Sequence, residues 1–171
     1  MRPVIYSVAC SLDGYIARED HSYDWIPHEQ DHGLAEFFES VDTALIGRRT
    51  HDLMVEVGQP TFPGMANYVF THNPNPPRRK GIHWVTEDAV ASVKELREQA
   101  GNKIWLAGGS ELAKTFFEAG LVDELRMAVV PILLGKGIPL FPKISRELPL
   151  RLMEEKAFGD GVVRLFYQVR K

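Results

Sequence analysis

The chain has 171 residues, of which 44% are hydrophobic, with a formal net charge of −3 and a pI near 6.1. This length and apolar content suit one domain spanning residues 1–171, and the lack of a broad basic field argues against a general nucleic-acid surface. No apolar run is long enough to cross a membrane, and the single cysteine, Cys10, cannot form an intrachain disulfide. We therefore predict a cytoplasmic protein with neither a nucleic acid nor a membrane as a partner.

Strand-like apolar runs alternate with helical stretches along the chain. The expected strands are 3–10, 43–47, 67–71, 82–85, 103–107, about 123–131 and a final pair near 149–158 and 162–170; the expected helices are 30–40, 48 to about 55, 88–100 and 110–119. Alternation followed by an antiparallel finish predicts an α/β fold, with a mixed sheet and helices on both faces.

The segment S-L-D-G-Y-I-A, residues 11–17, follows the first strand. Its Asp13-Gly14 pair is favoured wherever a turn needs a positive φ, so a simple turn is one interpretation. The other is a loop that covers a site and shields the reacting groups from water, as hydride transfer requires.

A possible metal motif lies at His28-Glu29-Gln30-Asp31-His32. It matches H-E-x-x-H, which on a helix places two imidazoles one turn apart for zinc, with the glutamate as general base. The context argues against zinc hydrolysis, because Pro27 precedes the motif, Gly33 follows it, and no third-ligand helix is evident. This hypothesis stays open as an alternative.

The same segment offers a proton donor, which the reduction of a C=N or C=O bond requires. Asp31 is the first choice, because a carboxyl at the rim of the next helix could be partly desolvated. An ordinary acid at a helix N-terminus is the simpler interpretation. Glu29 and Asp24 are the next choices, and Trp25 could form a wall of a substrate pocket by stacking.

The second junction of interest is Gly47-Arg48-Arg49-Thr50, where a buried strand ends in glycine and two arginines begin the next helix. Guanidinium groups at a helix N-terminus make charge-assisted bonds to phosphate, and an arginine commonly accepts the 2′-phosphate that distinguishes NADPH from NADH. Solvated surface charges are the alternative interpretation.

A third junction has the same character. The strand 103–107 ends at Gly108-Gly109, and Ser110 is placed to cap the helix that follows. Because glycine amides can approach an anion closely, this turn suits a phosphate group. Two such junctions in one chain indicate a dinucleotide.

Four motifs in order, S-L-D-G-Y-I-A, G-R-R-T-H, A-G-G-S-E and P-I-L-L-G-K-G-I-P-L-F (131–141), resemble the dihydrofolate reductase-like reductases. The chain is most similar to the C-terminal reductase domain of bacterial riboflavin-biosynthesis deaminase-reductases. The resemblance implies a three-layer fold with a central, mostly parallel sheet of about eight strands, NADPH as cofactor, and a homodimer. In many relatives the Gly-Gly peptide bond is cis.

The resemblance also implies site residues. The cofactor contacts are Ala9, Ile16, Gly47, Arg48, Arg49, Thr50, Thr71, Gly108, Gly109, Ser110, Glu111 and Leu112. The substrate contacts are Asp13 and Trp25, and Asp31 is the catalytic acid, at a separation from G-R-R-T like that in folate-reducing enzymes. No metal is expected.

One departure bears on the substrate. The riboflavin-pathway reductases have W-I-T-G followed by an arginine-bearing helix for the ribose phosphate, whereas this chain has Trp25-Ile26-Pro27-His28 and no such arginine. We therefore predict an NADPH-dependent reductase of a small heterocyclic (pterin- or pyrimidine-like) or carbonyl compound. A zinc hydrolase and a catalytically silent nucleotide-binding module are the alternatives.

Overall fold

The structure, a computed structural model, describes residues 1–170. In chain order, its elements are β1 Val4–Ser11, β2 Tyr15–Ala17, α1 Leu34–Ser40, β3 Val41–Gly47, α2 Arg48–Glu56, β4 Ala66–Phe70, β5 Ile82–Val85, α3 Ala89–Glu98, β6 Lys103–Gly108, α4 Ser110–Glu118, β7 Glu124–Val130, β8 Ile138–Pro139, β9 Leu150–Ala157 and β10 Val163–Val169.

Eight strands form one sheet in the order β5-β4-β3-β6-β1-β7-β10-β9. The six strands from β5 to β7 in this order pair in parallel, and β10 is antiparallel to both of its neighbours. The α/β fold with a mixed, mostly parallel sheet of eight strands is thus confirmed. Because the parallel strands point the same way, their carboxyl ends share one edge, which we call the carboxyl edge.

Two helices cover each face of the sheet. Phe37 of α1 and Met54 of α2 pack on one face, and Val93 of α3 and Phe116 of α4 belong to the larger core on the other. The helices are seven to ten residues long. None within residues 1–170 combines the length and apolarity needed to cross a membrane.

The first helix differs from its prediction. It begins at Leu34 rather than at residue 30, because Gly33 has a φ of 81° and interrupts the helical backbone. Phe37 is buried, whereas Leu34 and Phe38 on the same helix are 49% and 40% exposed. The short strands β2 and β8, which form a separate two-stranded sheet, were not predicted.

The amino ends of the parallel strands carry charged side chains. Arg2 pairs with Asp42, and its Nη2 donates to Thr43 Oγ1 at 2.8 Å. Arg97 pairs with Asp123 at 2.9 Å. These partly buried contacts join the start of the chain to β3, α3 and the turn before β7, so they hold the end of the sheet opposite the carboxyl edge.

Cys10 lies in the core at 2% exposure. Burial raises the pKa of its thiol to about 11, so the group stays protonated at neutral pH and is a weak nucleophile. The cysteine therefore has a structural role in the core.

Candidate functional site

The two predicted phosphate junctions meet at the carboxyl edge. β3 and β6 are neighbours, and Ile46 pairs with Gly108 at their ends. A Cβ on Gly47 would stand 2.9 Å from the backbone nitrogen of Gly109, so glycine permits this close approach without a shift of the backbone. The Gly108–Gly109 peptide bond is cis. Backbone of one junction therefore lies directly against backbone of the other.

The start of α2 presents one arginine held by the protein and one without a partner. Arg48 Nε donates to Asp52 Oδ1 at 2.7 Å, and its guanidinium lies 5.9 Å from the centre of the Trp84 ring. Arg49 is exposed and has no hydrogen-bond or ion-pair partner among residues 1–170. The first turn of α2 contains no acidic residue. This helix start can therefore accept a phosphate group through Arg49 and backbone amides.

The start of α4 differs in one detail from the prediction. Gly109, not Ser110, is the N-cap, and Ser110 is the buried first residue of the helix. Because glycine supplies no capping side chain, the helix N-terminus is left with backbone donors only. Glu111 is exposed and Leu112 half-buried, while Thr50 Oγ1 stands 3.4 Å from where a Gly109 Cβ would be. Thr50 thus borders both junctions.

Asp13 connects the loop after β1 to the loop after β7. Its carboxylate accepts hydrogen bonds from the Ser11 hydroxyl at 2.6 Å and from the amides of Leu134 and Gly135 at 3.1 and 2.7 Å. The bond from Ser11, followed by those from the loop amides, holds the pKa of Asp13 below its usual range. The carboxylate therefore acts as a brace between two loops, and its contact with a substrate stays a prediction.

Four further predicted contacts have different settings. Ala9 is half-buried on β1 and pairs with Ala128 of β7, and Ile16 of β2 packs against the core. The Thr71 amide, just past β4, donates to β5. Trp25 is half-buried in the irregular segment before α1, and its indole nitrogen is buried with no hydrogen-bond partner among residues 1–170. Ala9 and Thr71 lie close to the carboxyl edge.

Asp31 does not have the environment that we expected. It is exposed and precedes α1, and its Oδ1 accepts a hydrogen bond from the Leu34 amide at 2.5 Å. The side chain therefore satisfies a free amide at the helix start, as in the simpler interpretation, and the partial desolvation that we assumed is wrong. An exposed carboxylate can still exchange protons with water, so its role in proton transfer stays a prediction.

The H-E-x-x-H segment is not helical. Residues 28–33 precede α1, so the two imidazoles are not placed one helical turn apart. His32 is buried, and its Nε2 lies 2.7 Å from Asp160 Oδ2 in the turn between β9 and β10. This contact explains the position of His32 without a metal.

Two arginines that the sequence analysis did not consider lie beside this segment. Arg126 of β7 donates from Nη2 to the Gly33 carbonyl at 2.6 Å, and Arg164 of β10 donates from Nη1 to the His32 carbonyl at 3.3 Å. The available signal was an arginine inside each of two apolar strands, in L-R-M and V-R-L. An arginine within a strand places its positive charge on one face of the sheet.

His51 of α2 is buried against Trp84, with ring centres 5.2 Å apart. Neither of its ring nitrogens has a hydrogen-bond partner among residues 1–170. Burial first, and then the charge of Arg79, lowers the pKa of His51. The imidazole is therefore a neutral packing group beneath the start of α2.

Comparisons with known proteins identify the family of the chain. Residues 2–164 match the family model of the RibD C-terminal domain. YwjB, an uncharacterized protein of Bacillus subtilis, is 39% identical over 166 residues, which cover 94% of this chain and 95% of YwjB.

Two solved structures share the fold. A protein described as a riboflavin biosynthesis protein, from Shewanella sp. PV-4, has a TM-score of 0.87 at 24% identity, with all of both chains covered. Dihydrofolate reductase from Enterococcus faecalis, complexed with NADP(H) and RAB-propyl, has a TM-score of 0.74 at 18% identity, with 99% of this chain and 97% of that one covered.

Proposed function

Because the chain belongs to the RibD C-terminal domain family, and its family and fold are those of reductases, we propose that it is an NADPH-dependent reductase. Its substrate is a small heterocyclic compound, pterin- or pyrimidine-like, or a small carbonyl compound. The observation that carries the proposal is the meeting of the two glycine junctions beside Arg49, an arginine without a protein partner. The NADP(H) in the Enterococcus dihydrofolate reductase supports the choice of cofactor.

The residues at the carboxyl edge fit NADPH. A pyrophosphate needs close backbone approach, which Gly109 allows at the start of α4 because it has no side chain. The 2′-phosphate needs a cation, which Arg49 supplies, with Arg48 fixed beside it by Asp52. Thr50 and Thr71 add hydroxyl groups at the same edge, and Ala9 leaves room for a ring over β1.

When bound, NADPH supplies a hydride, and the protein must then position the acceptor and control water and protons. The loop after β1, braced by Asp13 to the loop after β7, covers the end of β1 and limits the access of water. Trp25 and the exposed apolar face of α1, Leu34 and Phe38, offer walls for a flat substrate. Asp31 at the start of α1 relays a proton from solvent to the reduced atom.

A silent nucleotide-binding module is the remaining alternative on the same fold. It shares the edge geometry but would need neither a substrate wall nor a proton relay. Consumption of NADPH with a panel of pterins, pyrimidines and small carbonyl compounds separates the two. The expected homodimer also stays a proposal, for which the edge strand β9, exposed along its whole length with Leu152 and Met153, offers a surface.

The cofactor is tested by calorimetric binding of NADPH and NADH to the wild type and Arg49→Gln. We expect the wild type to bind NADPH more tightly, by about 1.5–3 kcal/mol for one charge-assisted phosphate bond. Arg49→Gln should lose most of that preference and keep its NADH affinity. The control is Arg151→Gln, at an exposed arginine on β9. Equal binding of the two dinucleotides by the wild type would contradict the assignment.

A further inference from the structure

Arg126 and Arg164 project from the same face of the sheet as Ala9, a predicted cofactor contact. Ala9 of β1 pairs with Ala128 of β7, which pairs with Arg164 of β10, so these three residues form one row across three strands. Arg126 precedes Ala128 by two residues and therefore shares its face. Adjacent strands are about 4.8 Å apart, which places the Arg164 backbone roughly 10 Å from that of Ala9. A small molecule can span this distance.

The two guanidinium groups converge at the start of α1. A Cβ at Gly33 would meet both Arg164 Nη1 and Arg126 Nη2 at under 3.0 Å, so the two cations are close neighbours. Arg164 is 13% exposed and pairs with Glu154. Arg126 has no carboxylate within 4.0 Å among residues 1–170, and its hydrogen bond goes to a backbone carbonyl.

This arrangement leaves positive charge insufficiently compensated. Burial first, and then the charge of Arg164, lowers the pKa of Arg126, while Glu36, Glu154 and Asp31 act in the opposite direction from further away. Its guanidinium stacks 5.0 Å from the centre of the Phe37 ring, and this contact fixes the plane of the guanidinium group. Most of its five N–H donors remain available, and an oxyanion would accept two of them at once.

We propose that Arg126 and Arg164 form an oxyanion subsite that binds a carboxylate or phosphate group of the substrate. The proposal rests on the proposed reductase function and narrows its substrate class to anionic heterocyclic or carbonyl compounds. The riboflavin-pathway reductases place a positive charge for the ribose phosphate on a helix, and this chain lacks that arginine. In this chain the positive charge comes instead from the strands β7 and β10. Specificity then lies in the fixed distance between the row residue Ala9 and the guanidinium pair.

The first test is a titration with inorganic phosphate, and separately with acetate, of ¹⁵N-labelled Arg49→Gln protein, in which the phosphate site at α2 is weakened. We expect a saturable shift of the Arg126 Nε–H resonance, which is identified by its absence in Arg126→Lys. The anion that binds more tightly shows whether the substrate group is a phosphate or a carboxylate. The absence of a saturable shift with both anions overturns the proposal.

The second test compares Arg126→Gln with Arg151→Gln, a control at an exposed arginine. Both substitutions are made in the Arg49→Gln protein. Calorimetry should show the preferred anion binding to Arg126→Gln about tenfold more weakly or worse, and to the control unchanged. Should the glutamine variant not fold, Arg126→Lys keeps the positive charge but loses the planar set of N–H donors. Binding of the anion to Arg126→Lys should then be about threefold weaker than to the parent. Equal affinity in the parent and the folded Arg126 variant overturns the proposal.

NADPH binding to the wild-type chain and to Arg126→Gln alone, measured in parallel, separates the two proposals. An anion site without NADPH binding to the wild type contradicts the reductase function alone. Retained NADPH binding with no anion site contradicts the subsite alone.

Discussion

The carboxyl edge and the segment before α1 form two parts of one candidate site, but they are built differently. The edge is made of backbone, because Gly47, Gly108 and Gly109 let two strand ends and two helix starts touch. The segment before α1 is held by side chains from the far end of the chain, through His32 with Asp160 and Gly33 with Arg126. Local glycine patterns therefore define the first part, and tertiary contacts define the second.

The largest expected effect concerns the backbone part. A Cβ at Gly109 makes ordinary contact with Thr50 at 3.4 Å and the residue has a φ of −80°, so Gly109→Val should fold. The valine methyl groups would occupy the space that a pyrophosphate needs, so NADPH binding should fall below detection by calorimetry.

A second variant at the same contact is Gly47→Ala, whose new methyl group meets the Gly109 backbone nitrogen at 2.9 Å. It should lower the free energy of unfolding by about 1–3 kcal/mol. Retention of NADPH affinity in folded Gly109→Val would place the cofactor elsewhere.

The next effect concerns Asp31 in the second part. Asparagine keeps an oxygen for the Leu34 amide but cannot relay a proton, so Asp31→Asn separates capping from chemistry. Turnover on the true substrate should fall by about 10²-fold or more, with a smaller loss at low pH, while NADPH binding and thermal stability stay unchanged. Chelation should change nothing. Normal turnover in Asp31→Asn would withdraw the assignment.

The smallest effect concerns His51, which lies beneath the backbone part. Burial lowers the pKa of His51 in the folded state, so below about 6.5 the unfolded chain binds a proton that the folded protein does not. The stability that the neutral imidazole contributes is thus present above pH 6.5 and is lost as the pH falls through the folded-state value.

Melting temperatures of the wild type should therefore decrease from pH 7.5 to 5.5 more steeply than those of His51→Leu, because only the wild type contains the buried imidazole whose pKa is lowered by folding. His72→Gln, which removes an exposed histidine, is the control and should keep the wild-type slope. Parallel curves for the wild type and His51→Leu would show that His51 does not contribute.

Sequence reasoning reached the two parts unequally for the same reason. Hydrophobic periodicity and the positions of glycines predicted the succession of strands and helices, the mixed sheet and both glycine junctions. Each of these sequence signals lies within a few neighbouring residues. The start of α1 was misplaced because Gly33 adopts a left-handed conformation against arginines from β7 and β10. Arg126 lies 93 positions from its partner Gly33, and Arg164 lies 132 positions from its partner His32. Contacts over such separations leave no local pattern in the sequence.

The charged contacts at the amino ends of the strands have a consequence for how this fold can change. The strand β3 separates Asp42, the partner of Arg2, from Gly47 by about 17 Å. At such distances, substitutions that share no partner act independently. Loops at the carboxyl edge can therefore be exchanged without disturbing the ion pairs at the other end. Substrate specificity can therefore change during evolution through the loops at the carboxyl edge, while the ion pairs at the opposite end of the sheet keep the chain folded.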